Sequence, residues 1–139
     1  MIRIAQSVQN IPPSGIRQFF DLAQSMDGVI SLGVGEPDFV TPWHIREASI
    51  LSLEQGYTTY TSNSGLPELR REISRYLFRR FAVDVDPQDE VLITVGAGEG
   101  IDLSLRAIIN PGDEVLVVEP CFVSYEPIIR MAGGVPVKI

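Results

Sequence analysis

The chain has 139 residues, 45% of them hydrophobic and 21% charged, which is the composition of a folded domain rather than of a disordered or fibrous segment. Eighteen acidic against eleven basic residues give a formal charge of -7, which repels phosphate backbones and anionic bilayers and argues against nucleic acid or a membrane as partner. A single cysteine, Cys121, cannot form an internal disulfide, no secretion signal opens the chain, and apolar runs such as Val115 to Val118 fall far short of the roughly 20 residues of a membrane span, so the chain reads as cytoplasmic.

Residues 1–13 lack sustained periodicity and close on Pro12-Pro13, so they read as an extended arm. Ser14 is an N-cap candidate for a helix with Ile16, Phe19, Phe20 and Ala23 on one face, ended by an Asp27-Gly28 turn. Val29 to Leu32 then reads as a short strand. Two glycines and two prolines between 33 and 42 exclude regular structure there and predict a shaped loop. Thr41 as cap and Pro42 as first residue predict a further helix, which runs to Gly56. After the polar loop 57–65 comes the most strongly patterned helix, about Leu66 to Phe81. Leu66, Leu69, Ile73, Tyr76 and Leu77 form its apolar side, while Arg70, Arg71, Arg75 and Arg79 are expected on a solvated face with Glu68 and Glu72 as partners.

From Glu90 onward short apolar runs alternate with helices: strand 91–95, helix 98–109, strand 115–118, helix 124–132, strand 135–137. This βαβαβ order predicts an α/β fold with a parallel sheet.

The sharpest chemical signal is the strand Val91 to Val95 running into Gly96-Ala-Gly-Glu-Gly100 and a helix. Glycines let a backbone come close to a ligand, and the unpaired N–H groups and positive dipole end of a helix favour an anion, most naturally a phosphate. The dinucleotide fingerprint is the rival reading, with Glu119 near the ribose-binding position. Its sixth place wants Gly or Ala, however, and here holds Ile101.

Taken with the loop at 33–42, the chain resembles the aspartate aminotransferase superfamily, the class I/II pyridoxal-phosphate (PLP) aminotransferases of fold type I. The resemblance rests on Ser14-Gly-Ile-Arg17, on Ser31 to Phe39 with Thr41-Pro42, and on Tyr57 and Tyr60 before Gly65-Leu-Pro-Glu-Leu-Arg70. It continues through the Gly96 turn, Asn110-Pro-Gly-Asp-Glu-Val115 and Pro120-Cys-Phe-Val-Ser-Tyr125, all in order. It implies that the main-chain amides of Ala97 and Gly98 hold the cofactor phosphate, that Phe122 stacks on the pyridine ring, and that Gly35 approaches the substrate carboxylate. It implies further that Tyr60 reaches the phosphate of the neighbouring subunit, which makes the protein a homodimer with shared active sites, and that the Glu119–Pro120 peptide is cis.

The implied activity moves an amino group between an amino acid of the aspartate or aromatic class and a 2-oxo acid. The implied domains are an arm at 1–13, a small-domain segment at 14–56 and the start of the large PLP-binding domain at 57–139. The reaction needs a Schiff-base lysine of lowered pKa. Lys138 is the sole lysine and matches no motif for that role, so the chain is expected to be an N-terminal fragment, inactive as it stands, with no catalytic residue of its own. Another fold type I enzyme (lyase, decarboxylase or synthase), a nucleotide-binding module and a non-catalytic structural fragment are the alternative readings. His44 and Cys121 are expected to be structural, and no cluster has metal-ligand spacing.

Overall fold

The computed structural model describes residues 3–9, 11–30, 32, 35 and 37–139. Met1, Ile2 and Asn10 of the arm, Ser31 of the strand expected at 29–32, and Gly33, Val34 and Glu36 of the loop lie outside the described residues. The chain is α/β and divides into two compact units, one made of residues up to 35 together with 95–139, the other of residues 36–94.

The first unit contains α1 (Gln6–Gln9), α2 (Gly15–Gln24), α5 (Gly96–Ile108), β1 (Glu114–Val117), α6 (Tyr125–Met131) and β2 (Val135–Lys138); the second contains α3 (Trp43–Glu54) and α4 (Pro67–Phe81). In the first unit β1 and β2 pair in parallel, Glu114 against Val135 through Val117 against Lys138. Parallel strands cannot be joined by a tight hairpin, and α6 supplies the crossover. Val117, Ile128 and Ile129 are buried where this helix covers the sheet. Gly134 permits the close approach, because a Cβ there would lie 3.0 Å from Ile129 Cγ2 and 3.1 Å from Ile109 Cγ2.

Several expectations need correction. The segment 91–94 joins no ladder, and neither do Val29, Ile30 and Leu32; among the described residues the sheet has two strands. A β pattern becomes a strand only when a neighbour takes its N–H and C=O groups, and Ile93 N–H is instead donated to Ser64 O at 3.1 Å. The arm is not wholly extended, since α1 forms a single turn in which Val8 and Gln9 N–H reach Ala5 O. Pro42, rather than Thr41, is the cap residue of α3, and α5 starts at Gly96, two residues before the expected position.

In the second unit α4 carries the expected pairs Arg71–Glu68 and Arg75–Glu72. Arg70 departs from the solvated face: it is buried, and its Nη1 donates to Gln88 O at 3.0 Å. One turn on, Ser74 Oγ donates to Val85 O at 2.8 Å, so the two side chains fasten the 83–90 loop onto the helix. Arg70 sits on α4 at the edge of the apolar stripe, and the Gln88 carbonyl satisfies one of its buried N–H groups, while its Nε is buried without a partner among the described residues. Among the described residues no helix is long and apolar enough to cross a membrane.

Gly65 has φ +96, and a Cβ there would fall 2.4 Å from Ile93 Cγ1, whereas Gly56, at φ +80, faces open space. Gly65→Ala is therefore expected to lose about 2–4 kcal/mol, from left-handed strain plus overpacking. Gly56→Ala should lose only the strain, about 1–2 kcal/mol. Urea denaturation of the two variants checks the difference.

Candidate active site

The glycine turn is built by its own sequence. Gly96 adopts φ +78, a left-handed conformation that glycine enters without a Cβ penalty, and the chain passes directly into α5. Ala97 and Gly98 lie in the first turn of this helix, where no carbonyl within the helix stands four residues back to accept their N–H groups. Both are exposed, and a Cβ at Gly98 would meet nothing within 4 Å. The cap residue, Val95, has no side chain able to accept a hydrogen bond from them. Glu99, from the first turn of α5, reaches back to accept the Val95 N–H.

Phe122 follows the end of β1, half exposed, with its ring edge-to-face against Tyr125 at 5.6 Å between centroids. The Glu119–Pro120 peptide just before it is cis, the conformation that the resemblance implies. Phe122 lines a cavity of about 620 Å³ whose other walls include Pro12, Pro13, Ser14, Val117 and Cys121. The fold thus gathers the N-terminal segment and the Pro120–Val123 stretch round one space. Ala97 and Gly98 do not line it. Gly35 is exposed, and among the described residues a Cβ there would meet nothing within 4 Å. Tyr60 is fully exposed in the loop of the second unit.

His44 is exposed in the first turn of α3, and Cys121 is an exposed free thiol. Among the described residues no group of three or more His, Cys, Asp or Glu side chains could hold a metal ion.

Lys138, at the end of β2, lies between two carboxylates: its Nζ is 2.9 Å from Glu119 Oε1 and 3.2 Å from Glu126 Oε2. Arg130 in turn binds Glu126 through Nη2 at 2.9 Å and Nε at 3.2 Å. Hydrogen bonding to Glu119 first, and then to Glu126, pushes Lys138 above the ordinary lysine range. Arg130, followed by Lys138, holds Glu126 below the usual carboxylate range. A lysine serving as a general base near neutrality needs the opposite shift. The Glu126–Arg130 spacing of four is visible in the sequence, but the convergence of Glu119, Glu126 and Lys138 carries no local signal, because it depends on β2 returning beside β1.

Comparison with known proteins agrees with this architecture. The fold is that of solved aminotransferases of fold type I: a mutant of Thermus thermophilus aspartate aminotransferase superposes with a TM-score of 0.89 at 37% identity, over 100% of this chain and 37% of that one. The model of the class I and II aminotransferases matches residues 27–139, and the chain belongs to that family. It is 61% identical over 136 residues to the Bacillus subtilis protein YugH, covering 98% of this chain and 35% of that protein. With the aspartate aminotransferase of Pyrococcus abyssi it shares 46% over 129 residues, 93% of this chain and 33% of the relative. The chain therefore spans about a third of the length of the relatives it matches.

The ion cluster has a defined pH dependence. The raised Lys138 contributes stability that is complete below the ordinary lysine pKa and is lost as pH rises through its raised folded value. The lowered Glu126 contributes stability that is present above the ordinary carboxylate pKa and is lost as pH falls through its lowered folded value. An NMR titration of Lys138 is expected to show a midpoint above that of free lysine. Glu119→Gln should move it back down.

Proposed function

We propose that this chain is the N-terminal third of a PLP-dependent aminotransferase that moves an amino group between an amino acid of the aspartate or aromatic class and a 2-oxo acid. The observation that carries the reading is the pair of first-turn amides at Ala97 and Gly98, both exposed residues, which no capping side chain from Val95 can occupy. Family membership supports it independently.

The residues present fit the cofactor. Backbone donors at a helix N-terminus suit a phosphate dianion, and Gly98 adds no side chain that would fill the approach. Ala97 and Gly98 would hold the phosphate, and Phe122, half exposed beyond the end of β1, would offer a flat apolar face that fixes ring tilt and excludes water. PLP, when bound, supplies an electron sink for the amino acid's α-carbon. Gly35 would let the main chain come close to the substrate carboxylate, since a side chain there would stand in open space otherwise available to substrate. Tyr60, fully exposed, would reach the phosphate of a second subunit in a cytoplasmic homodimer. On this reading residues 1–13 are the arm, 14–56 belong to the small domain and 57–139 begin the cofactor-binding domain. Lys138 takes no part in proton transfer, because both of its neighbouring carboxylates keep it protonated.

The test uses the full-length polypeptide that carries this chain. Adding PLP should produce a visible absorption band, and reduction with borohydride should fix the cofactor covalently to a lysine other than Lys138. Ala97→Pro deletes one first-turn N–H at a position where a helix tolerates proline. It is expected to weaken PLP about tenfold or more, the worth of a hydrogen bond to a charged group, while leaving pyridoxal, which lacks the phosphate, unaffected. Equal losses for both compounds would exclude Ala97 from the phosphate site.

A further inference from the structure

We propose that Glu99 is a positioning residue of the glycine turn, holding Val95 N–H so that the turn keeps its shape while the amides of Ala97 and Gly98 stay available to an anion. The inference rests on the phosphate reading above and adds to it a residue that does not itself touch the ligand.

A helix usually begins with Ser, Thr, Asp or Asn at the cap, whose side-chain oxygen takes the N–H of the second or third helical residue. In α5 those residues are Ala97 and Gly98, so a conventional cap would consume the very donors that an anion needs. Val95 at the cap position has no such oxygen and makes no side-chain cap bond. Val95 therefore supplies no side-chain cap to the start of α5, where Gly96 adopts a φ of +78. Glu99 provides the remedy from the other direction: its Oε2 accepts the N–H of Val95, one residue before the helix. Only the return half of a capping box is present, supplied from one residue further along than usual. The carboxylate also meets the positive end of the helix dipole, which steadies the helix before any ligand arrives. The hydrogen bond and the charge have opposite consequences for a bound phosphate. The bond orders the turn, whereas the negative charge near a dianion is mildly repulsive.

That opposition makes the experiment decisive. The quantity to measure, in the full-length holoenzyme, is the ratio of affinity for PLP to affinity for pyridoxal, which isolates the phosphate from general folding effects. Glu99→Gln keeps an acceptor oxygen and removes the charge, so the ratio should hold within about twofold of the parent or rise. Glu99→Ala removes both, and the ratio should fall about fivefold, the scale of a lost helix cap. Val95→Pro deletes the donor at a φ of -77 that proline accepts, and it should reproduce the alanine result even where Glu99→Ala fails to fold. The proposal is overturned if Gln lowers the ratio as far as Ala or Pro does, or if Ala and Pro leave it unchanged. A parent ratio near one would instead remove the phosphate reading on which the proposal stands.

Discussion

The first turn of an α-helix has donors that the helix cannot use, and the local arrangement at the start of α5 follows from what is done with them. Most helices spend those donors on a side chain at the cap. Here the cap is valine, the next residue is a glycine in a left-handed conformation, and the exposed residues Ala97 and Gly98 follow. The valine costs the helix an ordinary cap, and Glu99 offsets part of that by returning to Val95 N–H. On the proposed reading, binding of an anion and the stability of its support are divided between different groups of one short segment.

The charged cluster of the β1–α6–β2 unit has a different character. Glu119 follows β1, Glu126 and Arg130 lie on α6, and Lys138 ends β2, so one ionic network ties together all three elements of the crossover. Its members remain partly exposed, so each pair contributes modestly. The sole lysine of the sequence lies between two carboxylates, and its ion pairs link the end of β2 to Glu119 and to α6.

Cavity and turn illustrate how one chain prepares separate features. The N-terminal segment from Ile11 to Gly15 and the stretch from Glu119 to Val123 come together although they are distant in sequence, with Phe122 among the lining residues. The glycine turn needs no such assembly, since its backbone shape is set within residues 95–99.

That difference is also the boundary between what was legible in the sequence and what was not. Periodicity, glycine and proline located α2, α4 and α6 to within a residue or two, along with the turns at Gly28 and Gly56, and the motif order identified the family; all of these depend on neighbours in sequence. The strand pattern at 91–94 did not guarantee a strand, the arginine stripe of α4 did not reveal that Arg70 is buried against Gln88, and nothing local brought Glu119 to Lys138. Glu99 could have been suspected from a valine cap followed by an acidic first turn, although its partner had to be seen. A residue's intrinsic conformational preference is carried by the residue itself, but its hydrogen-bonding and ionic partners are chosen only when segments far apart in the chain are brought within a few ångströms of one another.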